Sequence, residues 1–140
     1  MVISKQTTVD GIKFRSKLEA YTYKKLKAAG IPFEYEEQSF ELYPGFKPTV
    51  ECWEHRYGSF RKRETKVRPI TYTPDFTCPE LKWVIEVKGR ANERFPLVWK
   101  MFRARAEATR SKLFLPSCEK DVDLAVQTIL ENNDSVRKKS

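Results

Sequence analysis

The stretch Trp83-Val84-Ile85-Glu86-Val87-Lys88-Gly89 most constrains how this chain can fold. It is apolar almost throughout, has strand length and is closed by glycine, which predicts a strand in the middle of a covered sheet. An α/β domain is expected. Side chains alternate along a strand, so Glu86 and Lys88 share one face while Ile85 and Val87 share the other. Charges in such a strand need partners. Two readings fit the triplet alone: a same-face ion pair on an amphipathic edge strand, or a carboxylate and an amine facing a bound cation and a phosphate. Asp75 favours the second, because it follows Pro74 at the end of the run Ile70-Thr71-Tyr72-Thr73, which reads as the neighbouring strand.

The remaining elements can be placed around that strand. Asp10-Gly11 between Thr7-Thr8-Val9 and Ile12-Lys13-Phe14 predicts a two-residue hairpin. Ser16-Lys17-Leu18-Glu19 has the form of a capping box, with Leu18, Thr22, Leu26 and Ala29 on one helical face and Gly30 as the stop. Phe33 to Leu42 predicts one or two strands. From Tyr43 to about residue 69 the pattern degrades into an insertion, with a hairpin expected around Thr49–Trp53 and Tyr57–Phe60. A helix is expected from about Asn92 to Arg110, where Phe95, Val98, Trp99, Phe102 and Ala106 recur at helical spacing and Leu97, Met101, Ala104 and Ala108 widen the stripe. A short strand over Lys112–Leu115 and a helix carrying Val122, Ala125, Val126 and Ile129 follow. One domain over 1–132 and a frayed basic tail over 133–140 complete the reading.

Composition excludes several kinds of protein. With 40% hydrophobic residues in 140, the chain can bury a real core. Its net charge of +8 favours a polyanionic partner, most simply nucleic acid. No apolar run approaches the ~20 residues that span a bilayer, so a cytoplasmic protein without a membrane partner is expected. Three scattered cysteines, Cys52, Cys78 and Cys118, and a lone histidine, His55, argue against zinc ligation, a disulfide framework and a catalytic triad; the thiols are expected free and at least half-buried.

Phosphodiester hydrolysis needs an acidified water, neutralised phosphoryl oxygens and a stabilised leaving group, all of which carboxylate-held Mg²⁺ or Mn²⁺ can supply. Asp75 and Glu86 are hard oxygen donors suited to those ions, and the Val87 carbonyl could complete the set. Lys88 would stand beside the metal. Glu19 is a further candidate, although a capping role alone would also explain it. DNA contact falls to Arg56, Arg61, Lys62, Arg63, Lys66 and Arg68 in the insertion, set against nearby Glu64, and to Arg90, Arg94 and Lys100 beyond the strand. A solvated charged loop is the competing reading of the insertion.

Pro74-Asp75 with Glu86-Val87-Lys88 resembles the signature of the PD-(D/E)xK nuclease superfamily, with Glu19 matching the helix carboxylate of several of its families. Within it, Phe14-Arg15-Ser16-Lys17-Leu18-Glu19, Phe33-Glu34-Tyr35-Glu36-Glu37, Tyr72-Thr73-Pro74-Asp75-Phe76 and Glu86-Val87-Lys88-Gly89 are similar to stretches of the junction-resolving phage endonuclease I family. A family of small phage proteins is more similar still, sharing Asp10-Gly11-Ile12-Lys13-Phe14 and Pro44-Gly45-Phe46-Lys47. The resemblance implies a restriction-endonuclease-like domain with an αβββαβ core. It further implies Mg²⁺-dependent cleavage of DNA, with Glu19, Asp75, Glu86 and Lys88 as catalytic residues, and Glu19, Asp75, Glu86 and Val87 as metal ligands. Branched DNA and a homodimer are its narrower implications. The insertion departs from endonuclease I, which bears on the dimer and the junction preference; a sequence-specific restriction-type nuclease and a non-catalytic DNA-binding module on the same fold are the alternative readings.

Overall fold

The computed structural model describes residues 6–88 and 94–139, with side chains to residue 132. It opens on the expected hairpin of β1 (Thr7–Val9) and β2 (Ile12–Phe14). Asp10 and Gly11 between them take φ of 52° and 78°, the left-handed pair that a two-residue turn needs to match strand twist. Helix α1 (Lys17–Ala28) follows, and the Ser16 Oγ accepts a hydrogen bond from the Glu19 N–H at 3.1 Å. That bond satisfies one of the donors left free in a first helical turn.

A four-stranded sheet organises the rest. Its order is β10 (Lys112–Phe114), β9 (Trp83–Ile85), β8 (Phe76–Cys78) and β3 (Glu34–Tyr35). The β8–β9 and β3–β8 pairs are antiparallel, while β9 and β10 run parallel, with α2 (Phe95–Thr109) as the long connection that a parallel pair needs. Alternation along β9 assigns its two faces to two cores. Trp83, Ile85 and Val87 join Phe14, Leu26 and Phe76 from β2, α1 and β8, and Val122 and Ile129 from α3 (Glu119–Lys139). Val84 points the other way, onto Val98 and Phe102 of α2 and Tyr72. Leu26, Phe76 and Ile85 are fully buried, each contributing about 1.5–3 kcal/mol by removal of apolar surface from water. Among the described residues the fold is thus a mixed α/β domain with three helices and a sheet covered on both faces.

The residues between β3 and β8 form two further ribbons. In one, β4 (Phe40–Tyr43) pairs with β7 (Ile70–Tyr72) beside α2; in the other, β5 (Trp53–Arg56) pairs with β6 (Ser59–Lys62) around Tyr57-Gly58. Among the described residues no helix is long and apolar enough to cross a membrane.

Several expectations need correction. The strand over residues 70–73 is not the neighbour of β9: β7 pairs with β4, and the neighbour is β8, which starts after Asp75. Pro74 lacks an N–H for a ladder, and the chain leaves one ribbon and enters the central sheet there. The insertion hairpin begins at Trp53 rather than Thr49, and Tyr57 lies in its turn. Leu97, Ala104 and Ala108 are exposed, so the apolar stripe of α2 is narrower than its composition. Cys52 and Cys118 are exposed and only Cys78 is buried. Helix α3 continues to Lys139 through residues expected to fray, since neither glycine nor proline interrupts 119–139.

Candidate functional site

Strand register brings the candidate carboxylates together. The β3–β8 pairing sets Tyr35 against Phe76, and one step further the Glu36 N–H donates to the Asp75 carbonyl at 2.8 Å. The β8–β9 pairing sets Phe76 against Ile85, so its continuation sets Asp75 against Glu86. Glu36, Asp75 and Glu86 therefore form a row across three adjacent strand ends. Alternation turns Phe76, Ile85 and Val87 toward the α1/α3 core and leaves Asp75 and Glu86 for the other face. Helix α1, packed on that core, reaches the same end through Glu19 in its first turn. One carboxylate oxygen from each of Glu19, Glu36 and Asp75 lies within 4.8 Å of the others.

Each carboxylate has a fixed partner. The Val87 N–H donates to Asp75 Oδ2 at 2.9 Å, the Tyr72 hydroxyl to Glu86 Oε1 at 2.8 Å, and the Tyr35 hydroxyl to Glu19 Oε2 at 3.1 Å. Glu19 thus spends its backbone N–H on the Ser16 cap and its carboxylate on the cluster, so its burial is explained by the site as well as by the helix end. Arg15 forms an ion pair with Glu36 and its guanidinium stands 4.0 Å from Asp75 Oδ1.

The electrostatics are strained in one direction. Asp75 is only 4% exposed, and its carboxyl is pushed well above the usual range by burial first, then by the neighbouring Glu86 and Glu19 charges; the Val87 N–H and Arg15 oppose this only in part. Burial also raises Glu86, against the hydrogen bond from Tyr72. The Tyr72 and Tyr35 hydroxyls are pushed up by burial and by the carboxylates they serve, which keeps both protonated as donors. Full ionisation of the cluster would therefore put more negative charge there than its partners compensate. A hard divalent cation fits such an all-oxygen set, since it would offset that charge and needs no histidine or thiolate.

The other sequence candidates sort differently. Lys88 is exposed, not held within an apolar strand: β9 ends at Ile85, and only backbone bonds from Glu86 to Phe114 and from Lys88 to Pro116 continue the pairing. Lys88 falls on the Glu86 side by alternation. On the β5–β6 hairpin, Arg56 and Arg63 both pair with Glu54, and Lys62 pairs with Glu51 as well as Glu64, so this stretch is more neutralised than a single nearby Glu64 implies. Arg61 lies over the Tyr57 ring. Lys66, Arg68, Arg94 and Lys100 are exposed, and Arg90 lies outside the described residues.

Sequence reasoning missed Glu36 and Arg15 as members of the site. Glu36 sits at φ 51° where β3 ends, a kink that a run of Glu34, Glu36 and Glu37 does not announce. The available signal was register: a strand at 33–35 paired antiparallel to one starting at Phe76 puts Glu36 opposite Asp75.

Comparison with known proteins adds a family without a named activity. The chain matches no curated protein and no solved structure. One family model covers residues 3–120, a span that includes every carboxylate of the cluster and Lys88. The chain therefore belongs to the family described as "Protein of unknown function (DUF1064)".

Proposed function

We propose that this protein is a divalent-metal-dependent DNA endonuclease with a restriction-endonuclease-like domain. The observation that carries the reading is the row of Asp75 and Glu86 on adjacent strand ends, joined by Glu19 from α1 and flanked on the Glu86 side by Lys88. A structural role alone would not gather under-compensated carboxylates at one edge of a chain whose net charge is +8.

Asp75, Glu86, Glu19 and the Val87 carbonyl would hold Mg²⁺ or Mn²⁺, with Glu36 as an additional donor. When bound, the ion supplies Lewis-acid charge for the phosphoryl oxygens and acidifies a water. The residues do the rest. The Val87 N–H and the Tyr72 hydroxyl each occupy one carboxylate oxygen, of Asp75 and Glu86 respectively, which fixes those side chains and leaves the remaining lone pairs for ligation. Lys88, exposed on the Glu86 side, would set a positive charge beside the scissile phosphate, favouring the state in which its oxygens carry the most charge. Exposed Arg61, Lys66, Arg68, Arg94 and Lys100 offer further phosphate contacts.

Asp75→Ala, Glu86→Ala and Lys88→Ala should each lower cleavage of DNA in Mg²⁺ by about 100-fold or more while DNA affinity in Ca²⁺ or chelator holds. Full activity in any one variant removes that residue from the assignment.

A further inference from the structure

The β5–β6 hairpin divides its side chains between two faces. Residues directly opposite in an antiparallel pair share a face, and the register pairs Trp53 with Lys62, Glu54 with Arg61, His55 with Phe60 and Arg56 with Ser59. One face therefore carries Trp53, His55, Phe60 and Lys62; the other carries Glu54, Arg56, Ser59 and Arg61. The second is ordered by polar contacts, with Arg56 Nε on Glu54 at 3.0 Å and Arg61 Nε on Ser59 Oγ at 2.9 Å. The first is aromatic. Trp53 and Phe60 stack at 5.7 Å between centroids and 27° between planes, yet they are 50% and 67% exposed, and Tyr57 at the tip is 86% exposed.

Exposed rings of this size have a cost in water, and an isolated two-stranded ribbon gains little stability from them. The core does not use them, since both described hydrophobic clusters are built without this hairpin. The charge around them selects the occupant. Residues 51–68 hold six arginines and lysines against three glutamates, so a second copy of this chain would bring like charge onto the face, whereas a nucleic-acid strand brings phosphates. Flat stacked rings beside basic side chains suit unpaired bases, which present π faces that a closed duplex keeps inside its stack.

We infer that the Trp53/Phe60 face of the β5–β6 hairpin binds single-stranded DNA by base stacking, so that the protein engages an unpaired segment of its substrate. This rests on the DNA-binding part of the proposed function and not on its metal chemistry. Lys62, directly opposite Trp53, is held by Glu51 and Glu64 and would meet the phosphate of a stacked nucleotide by exchanging those partners for it.

The test is binding in EDTA of a fluorescent oligothymidylate of about 15 nucleotides and of a blunt duplex of the same length. Stacking contributes roughly 1–3 kcal/mol per base, so Trp53→Ala/Phe60→Ala should weaken single-strand binding by about 5- to 150-fold and duplex binding by less than about twofold. Trp53→Tyr/Phe60→Tyr keeps the ring faces and should bind within about threefold of the parent. Intrinsic fluorescence adds a direct readout, because Trp83 is buried and Trp99 half-buried while Trp53 is open, so single-strand binding should quench the Trp53 emission. An unchanged single-strand affinity in the alanine variant, an equal loss on the duplex, or a tyrosine variant as weak as the alanine one would overturn the inference. So would sedimentation showing a parent dimer that the alanine variant dissociates. If the parent bound neither DNA, the proposed function would fail as well; if it bound and cut duplex DNA with no contribution from this face, only the inference would.

Discussion

Replacing Asp75 by Asn should stabilise the metal-free protein at alkaline pH. Asn keeps a carbonyl oxygen for the Val87 N–H and removes a charge that is buried next to Glu86 and Glu19. Because the folded-state carboxyls of Asp75 and Glu86 are raised, the folded chain binds more protons than the unfolded one above the ordinary carboxylate range. Stability is then highest below that window and falls as pH rises through it. Even about a hundredfold rise in proton affinity on folding corresponds to about 3 kcal/mol once the group is ionised, or roughly 10 °C in Tm for a domain of this size. Thermal unfolding in chelator should show the parent losing Tm from about pH 5 to about pH 9 while Asp75→Asn loses much less, the two converging at the acid end. Excess Mn²⁺ at the alkaline end should raise the parent and leave the variant nearly unmoved. A variant less stable than the parent by the same amount at every pH would refute this account of the cluster.

Other outcomes follow from the same contacts. Glu19→Gln retains an acceptor for Tyr35 and leaves the Ser16 cap untouched, so activity should fall by about tenfold or more with no loss of Tm; a Tm loss matching the activity loss would return Glu19 to a purely structural role. Tyr72→Phe removes a hydrogen bond that holds the Glu86 carboxyl down, so the acidic limb of the pH–activity profile should move to higher pH; an unmoved limb would separate Glu86 from the titration. Mg²⁺ and Mn²⁺ should support cleavage and Ca²⁺ binding only; a requirement for Zn²⁺ would contradict an all-oxygen site.

The sequence carried the parts of this molecule that depend on local pattern. Trp83–Ile85 is apolar on both faces and was readable as a covered strand; Asp10-Gly11 and Ser16 announce a turn and a cap through their own chemistry. What escaped depends on distant partners. Ile70–Tyr72 reads as well for a neighbour of β9 as for a neighbour of β4, and only the packing of Phe40 and Tyr72 on Phe102 decides between them. Asp75 and Glu86 stood out as charges beside apolar runs. Glu36 did not, because it lies among other glutamates and enters the cluster through register and a left-handed kink. The hairpin arginines were legible as charge, but their pairing with Glu54 was not, since it needs the β5–β6 register and the approach of Arg63.

The most direct measurement is cleavage of a matched panel of linear, nicked, flapped and four-way DNA by the purified protein in Mg²⁺, with Asp75→Asn and Glu86→Gln run alongside. The account predicts metal-dependent cuts by the parent, abolished by chelator and reduced about 100-fold or more in both variants, with the forms that expose unpaired strands cut preferentially. No cleavage of any DNA in Mg²⁺ or Mn²⁺, or cleavage that both variants retain, would contradict it.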